Sequence, residues 1–589
     1  MDKLVAVAER SVQIFAALAA FIFLISGVVY LSLGPWTVIM HDFWRFYDFG
    51  LNHTWLESAM LKDQHHSLFF PSFFWLTDLR FFHGDQLLLF FAGIVLLSIT
   101  VTLILMLVWR DETVGLTAKA MATLVVIVGN FWMARGSITA SAGFNVIYSL
   151  VMAGAAVAFL LVPKMCGSST WFSSATLIVV CAGFVAFFSF GTGLAIWPAL
   201  LFLAWGLRLP WRAFLSLGVA AVAATIIYQQ LPTNLAHFKA FEAAGSAGAA
   251  LVAPFCRLAG SPFFYAVSGW HPKRLPIEEF QSSALPLWWG GVGLAIAVVA
   301  MFSTMIRRDL IKSNLKLIGM ALVTFNFVAM ALIVVGRADR FLAQPLEVAG
   351  PRFLFWSTLF WTGLLLMAIQ FAESSQWLRW PVYLVALALP ILAFPAHYRD
   401  GLNLRFARQL TESAATSLIN GVRDEQLARP VFGYLELGYR VAEQLRVRRL
   451  DMFADGLQDW IGLGEANLFG GRHKPEKLKG RCAVTALVHC DNGAPAARVV
   501  GQASRHGGRV PKTLVIVDPT GVVRGVARCS TTSRFINRAF YLGKIQRNEF
   551  LGYIRDYNPQ LHYAVRSADD RTLSEEKIPV VGMTNPAKP

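Results

Sequence analysis

The chain has 589 residues, 56% of them hydrophobic and only 15% charged, with a mean hydropathy of +0.53. Soluble globular proteins carry roughly 25% charged residues, so this composition excludes a protein that lives wholly in water. The formal charge is +16, and from His397 onward 29 Lys and Arg stand against 19 Asp and Glu, so +10 of it sits in the tail.

Apolar runs long enough to cross a ~30 Å hydrocarbon core as helices recur along the first two thirds of the chain. About eleven are expected, near 11–33, 86–109, 119–135, 145–163, 172–189, 191–207, 213–230, 285–306, 317–336, 353–372 and 381–396. The first is too long for a cleavable signal peptide and lacks a small-residue cleavage site, so it stays as a span. Arg110 and Lys119, Lys164, Arg208 and Arg212, Arg307, Arg308, Lys312 and Lys316, and Arg379 fall in alternate short connections, whereas those around 136–144 and 190–193 carry no Lys or Arg. This bias places the N-terminus in the cytoplasm. An odd number of spans then puts the loops 34–85 and 231–284 and the tail outside, which in a Gram-negative bacterium is the periplasmic face of the inner membrane.

The loop 34–85 is longer than any turn requires. It gathers Asp42, Asp48, Glu57, Asp63 and Asp78, the pair His65 and His66, and many aromatic residues. Acids and rings at a bilayer surface suit a site that activates a hydroxyl and stacks on half-apolar ligands such as sugars. Asp42 follows the first span closely enough to act as the base toward an attacking hydroxyl. Together with Asp48 it is also the candidate holder of a divalent cation, Mg2+ or Mn2+, facing a leaving phosphate. The plainer role of either acid is a helix cap or a surface charge. Asp63, His65 and His66 are candidate contacts to a sugar hydroxyl or phosphate, or else a polar start to the apolar stretch that follows. Asp78 is expected to pair with Arg80 or to cap a turn.

The small residues of 231–284 predict a re-entrant or surface helix within an external loop. Between the ninth and tenth runs, GRADRFLAQPLEVAGPRF brings Arg337, Arg340 and Arg352 to the outer side, where orientation demands no positive charge. Guanidinium forks fit phosphate oxygens, so these three are candidate substrate-binding residues. Asn130 and Asn326 are expected to make helix–helix hydrogen bonds. No Asp, Glu, Lys or Arg lies near a span centre and no inverted repeat stands out, which argues against an ion-coupled transporter.

Residues 1–396 form one domain and 397–589 a second, soluble one. The spacing of Leu404, Ala407, Leu410, Ala414, Leu418 and Val422 predicts an amphipathic helix, within a helical part spanning 400–470. Strand patterns fill 480–567, with Asp518-Pro-Thr-Gly521 as a hairpin turn, so the tail is α+β with a small β-sandwich. A disulfide between Cys529 and either Cys482 or Cys490 is expected in an oxidising compartment. The six cysteines have no metal-ligand spacing. Nucleic acid is excluded as a partner of an external domain on a membrane protein.

Three stretches carry a resemblance. They are HDFW followed by KDQHHSLFFPSFFWLTDLRFFHG in the first loop, FSFGTGLAIWPALL beginning at Phe188, and GRADRF with GPRF around Arg337–Phe353. The chain resembles the polytopic bacterial glycosyltransferases of the GT-C class, in particular the glucosyltransferase-like proteins of O-antigen and surface-glycan modification. The resemblance implies an inverting transferase that takes sugar from a polyprenyl phosphate on the outer face, with Asp42 matching the catalytic acid and Asp48 second to it. The acceptor would be a glycan or a lipid. Two positions depart from the pattern: Ser67 stands where an Arg is expected, and Phe353 where a Tyr is. The alternatives are a lipid-linked glycan polymerase or ligase, and a non-enzymatic polysaccharide flippase or exporter component.

Overall fold

The computed structural model describes all residues except Met1, Trp36, His65, 137–139, 168–172, 234–244, 272–276, 308–310, 471–472, 475–477, 506–509, 530–548, 570–572 and 583–589. The chain divides into two compact units. The first comprises Met1–Ser32, Thr54–Phe74 and Leu89–Leu404, and the second Leu33–His53, Trp75–Leu88 and Arg405–Pro589. The first loop is therefore shared out: its middle belongs with the apolar helices and its flanks with the tail.

Lipid offers no partner to a peptide group, so apolar segments of this length fold as helices that satisfy their own backbone. Among the described residues, 10 helices are long and apolar enough to cross a membrane, from Val5–Ser32 to Trp377–Ile419. The runs expected at 172–189 and 191–207 are the shorter helices Ser174–Phe187 and Gly191–Gly206. The segment 231–284 is not simply an external loop, because it contains Gly245–Gly269, itself long and apolar enough to span. Its small residues dilute its hydropathy, to 1.3 over its most apolar window against 1.9 for Ala284–Ile306. They also let it lie against that second helix. A Cβ on Gly260 would collide with the Pro286 carbonyl, and one on Gly290 with that of Cys256. Asn130 and Asn326 do not bridge helices by the bonds they donate. Each Nδ2 bonds back within its own helix, to Val126 O and Leu322 O, both at 2.8 Å.

In the second unit the strands form one closed sheet rather than a sandwich. Leu478–Cys490 pairs with Pro495–Arg505, and the antiparallel order continues through Glu549–Arg555, Val523–Cys529, Thr513–Val517 and Ala564–Ser567 to Ile578–Val581. The last strand returns parallel to the first, with Val580 opposite Cys482 and Val581 opposite Ala483. Closure is possible because Leu478–Cys490 runs for 13 residues. It offers one edge to Pro495–Arg505 and divides the other between Ile578–Val581 and Val422–Arg423. A barrel leaves few open edges to aggregate. The Asp518–Gly521 turn forms as its sequence predicts: Asp518 Oδ1 accepts from Thr520 N at 2.9 Å and Val522 N at 3.0 Å, and Gly521 sits at φ +78°.

No disulfide forms: Cys482, Cys490 and Cys529 are free thiols. The strand of Cys529 is three places along the sheet from that of Cys482 and Cys490, ~14 Å at the usual strand spacing. That exceeds the ~4.4–6.8 Å Cα separation of a disulfide. A bulge between Val484 and Ala486 also shifts the side-chain alternation, so Cys482 joins the barrel core while Cys490 packs with Val422, Ala496 and Tyr553.

The helical part of this unit is pinned to the barrel by one buried charge. Asp424, 1% exposed, accepts from Arg498 Nε at 2.7 Å and Nη2 at 2.9 Å and from Tyr553 Oη at 2.8 Å. Removing one partner of such a pair strands the other in low dielectric. Asp424→Ala should therefore destabilise the unit by about 3–5 kcal/mol, and Asp424→Asn by less. The measurement is pulse proteolysis of the full chain in urea, and an unchanged midpoint for Asp424→Ala would show the pair to be dispensable.

Candidate functional site

In the first unit, the sequence-predicted residues gather around one aromatic wall. Lys62–Asp63 and His66–Ser67 form a short antiparallel pair. Lys62 N donates to Pro232 O at 2.8 Å, its Nζ donates to Tyr228 O at 2.9 Å, and Ser67 Oγ donates to Phe188 O at 3.3 Å. Asp63 is buried, and His65 lies outside the described residues. The His66 ring packs on Phe190 at 4.4 Å. Gly191 is required beside it, because a Cβ there would run into His66 Nδ1. Thus the histidine stretch and the FSFGTG stretch, far apart in sequence, meet.

The wall continues from Phe190 to Tyr148 (5.5 Å, edge-on) and from Tyr148 to Phe355 (5.8 Å, stacked) and Trp356 (5.4 Å). Arg135, buried, lies over Phe355 at 5.9 Å. Its turn is held where Met133 N donates to His397 Nδ1 at 3.2 Å. Next come the late arginines. Arg337, Arg340 and Arg352 approach a single carboxylate oxygen, Glu347 Oε2, at 3.9, 3.9 and 3.6 Å. Arg337 and Arg352 also lie over the Phe353 ring, at 5.3 and 4.9 Å. Phe353 stands where the resemblance expects a Tyr, and its ring face meets both guanidiniums, since cation–π attraction needs no hydroxyl.

Three guanidiniums leaning on one carboxylate leave positive charge in excess. Burial, then repulsion from Arg352 and Arg340, pulls the Arg337 guanidinium down to about 10. It stays charged at neutral pH, at a cost that an incoming anion would remove. The separations are too long for forked hydrogen bonds, and Glu347 Oε2 accepts none among the described residues. Arg352 Nε is likewise buried without a hydrogen-bond partner. This geometry can take a phosphate, whose oxygens supply the missing acceptors. Arg135, Tyr148 and Glu347 escaped the sequence reading. Arg135 closes an apolar run and passed for a span end, and Glu347 is the acid inside the arginine segment.

In the second unit, Asp42 stands at the N-cap of Phe43–Asn52 but makes no capping bond. Its carboxylate, 47% exposed, pairs with Arg45 at 2.9 Å. Asp48 lies six residues on, roughly 9 Å along the helix axis, and pairs instead with Arg440 at 2.9 Å. Two carboxylates turned to different guanidiniums do not converge on one cation. Among the described residues no group of three or more His, Cys, Asp or Glu is placed to hold a metal ion.

Asp78 does not pair with Arg80 but caps a turn, accepting from Gln86 N at 3.1 Å. It is fully buried, with Asp451 and Tyr47 nearby. Tyr47 accepts from Gln86 Nε2 at 2.6 Å, and Asp451 N donates to His83 O at 2.6 Å. Burial, with the charge of Asp85 adding, pushes Asp78 up to about 7. Burial, with Asp78 adding, pushes Asp451 up to about 8.

Among solved structures, the chain is similar to the archaeal oligosaccharyltransferase AglB from Archaeoglobus fulgidus, solved in complex with an inhibitory peptide and a dolichol-phosphate. Identity is 14% and the TM-score 0.30, over 71% of this chain and 58% of that one. The match thus spans less than two thirds of that protein. No family model and no curated protein match the chain. At that level of likeness, function has to be argued from the side chains.

The raised acids give a pH dependence. Their folded values lie above the unfolded carboxylate value of 3.8, so their contribution is fully present below it and is lost as pH rises toward 7–8. Asp78→Asn keeps the acceptor oxygen and cannot ionise. It should leave stability unchanged at pH 4 and raise it by on the order of 1–3 kcal/mol at pH 8.5. Melting curves of the full chain at the two pH values read this directly, and an equal effect at both would refute it.

Proposed function

We propose that the chain is a multi-pass membrane glycosyltransferase of the GT-C kind. It takes a sugar from a polyprenyl-phosphate donor and passes it, with inversion, to a surface glycan or lipid on the periplasmic face of a bacterial inner membrane. The observation that carries this reading is the group of Arg337, Arg340 and Arg352 on a single glutamate, beside an aromatic wall and at the ends of apolar helices. Excess guanidinium charge calls for phosphate, and an apolar setting calls for a phosphate carried on lipid.

The chemistry asks little more of the protein. An acceptor hydroxyl attacks the anomeric carbon, its proton passes to a carboxylate, and the bond from that carbon to the phosphate oxygen breaks. Asp42 is assigned as the base, supported by its exposure, its unused capping capacity and its match to the family's acid. Asp48 is a helper that holds Arg440. Asp63, His65 and His66 are assigned to the acceptor. Arg337, Arg340 and Arg352 stabilise the charge that grows on the departing phosphate, and Arg135 adds to their field.

The test is reconstitution in liposomes with a radiolabelled polyprenyl-phosphate hexose and a lipid-extract acceptor. Asp42→Asn should lower kcat by about 10²–10⁴-fold with little change in donor KM. Arg352→Ala should raise donor KM about 10–100-fold, the loss of one charge-assisted contact. Full transfer by Asp42→Asn would sink the base assignment. Combined with loss in Arg352→Ala, it would favour a ligase or polymerase working through the late arginines.

A further inference from the structure

The second unit contains a cleft of about 900 Å³, whose lining includes Arg440, the partner of Asp48. Its floor is the helix Leu435–Arg448, and its walls come from Leu418 and Arg423, from Asp491 and Asn492 of the turn after Leu478–Cys490, and from Asn52. The size falls in the range of small-ligand sites.

The lining is dense in charge yet balanced. Arg423 faces Glu436 at 3.8 Å and Asp491 at 3.5 Å, and Arg446 faces Glu443 at 2.9 Å and Asp491 at 3.6 Å. Arg440 is matched by Asp48 at 2.9 Å, and Arg448 Nη1 donates to the Leu51 carbonyl at 2.7 Å. An anionic ligand would meet its own charge on the acids, and a cationic one on the arginines. A neutral ligand rich in hydroxyls meets neither penalty, since each hydroxyl can accept from a guanidinium and donate to the carboxylate beside it. Leu418 and the exposed Val447 supply apolar surface for C–H faces.

Three polar atoms of the lining residues are buried and unpaired. Tyr439 Oη, Gln444 Oε1 and Arg446 Nε, all on lining residues, have no hydrogen-bond partner among the described residues. Tyr439 is only 8% exposed, and its ring is already covered by Arg423 at 4.8 Å and Phe432 at 5.4 Å. What it has to offer is its hydroxyl, and buried polar groups are rarely left unsatisfied.

From this we infer that the cleft floored by Leu435–Arg448 is a binding site for a neutral oligosaccharide. This inference does not depend on the transferase reading, because the site is defined by binding alone.

The experiment uses the full chain in detergent, without any lipid-linked donor. Saturation-transfer NMR is run with short neutral hexose and N-acetylhexosamine oligosaccharides and with their sulfated counterparts. The expected result is binding of a neutral oligosaccharide that weakens about tenfold or more in Arg423→Gln and measurably in Tyr439→Phe. Tyr439→Phe removes a single oxygen and so guards against misfolding. Absence of binding by every neutral probe, binding unchanged in both variants, or tighter binding of the sulfated probes would each overturn the inference. Binding that holds in a protein inactive with every donor would leave it standing while the transferase reading fails.

Discussion

The absence of hydrogen-bonding solvent in a bilayer governs the first unit. Each long apolar segment must close its own backbone bonds, so it is a helix, and irregular backbone is confined to the ends of the spans. Charge follows the same rule. Arg337 caps Asn314–Gly336, Arg352 opens Pro351–Glu373, and Arg135 ends Leu116–Arg135. Arg337, Arg340 and Arg352 share one carboxylate, at 3.9, 3.9 and 3.6 Å. One negative charge does not balance three positive ones, and a bound phosphate would offset the excess.

The second unit answers a different constraint, that of a sheet in water. Its open edges are removed by the return of Ile578–Val581 to Leu478–Cys490, and the bulge at Val484–Ala486 re-aims the far half of that long strand. Re-aiming places Cys490 with Tyr553 of Glu549–Arg555 in a second small core beside Val422, away from the barrel interior. There the Tyr553 hydroxyl meets Asp424 and Arg498. One irregularity in one strand thus makes room for the helical layer whose outer surface carries the cleft.

How far the sequence disclosed this depends on the range of each interaction. Spans are local and were legible in hydropathy, as was the Asp518–Gly521 turn, where the acid bonds amides two and four residues away. The gathering of Arg337, Arg340 and Arg352 was legible because all three lie on one short segment. Barrel closure was not, because Val580 and Cys482 pair across almost the whole length of the barrel sequence and nothing local marks their register. The Asp48–Arg440 pair was hidden for the same reason, and it changes the meaning of Asp48: what read as a partner for Asp42 is a partner for an arginine of the tail. Gly245–Gly269 is a helix, as expected, and its glycine and alanine lower its hydropathy while permitting the closest packing.

The two departures from the family pattern become intelligible at the aromatic wall. Ser67 is 1% exposed and donates to Phe188 O, so a guanidinium would not fit in its place. Positive charge nonetheless reaches the same rings from another direction, through Arg135 over Phe355, one ring along from Tyr148. At Phe353 the missing hydroxyl removes a group that could compete for the Arg337 and Arg352 donors, while the ring face still holds both. At both places guanidinium charge lies against an aromatic surface. A field, unlike a particular hydrogen bond, can be supplied by more than one residue.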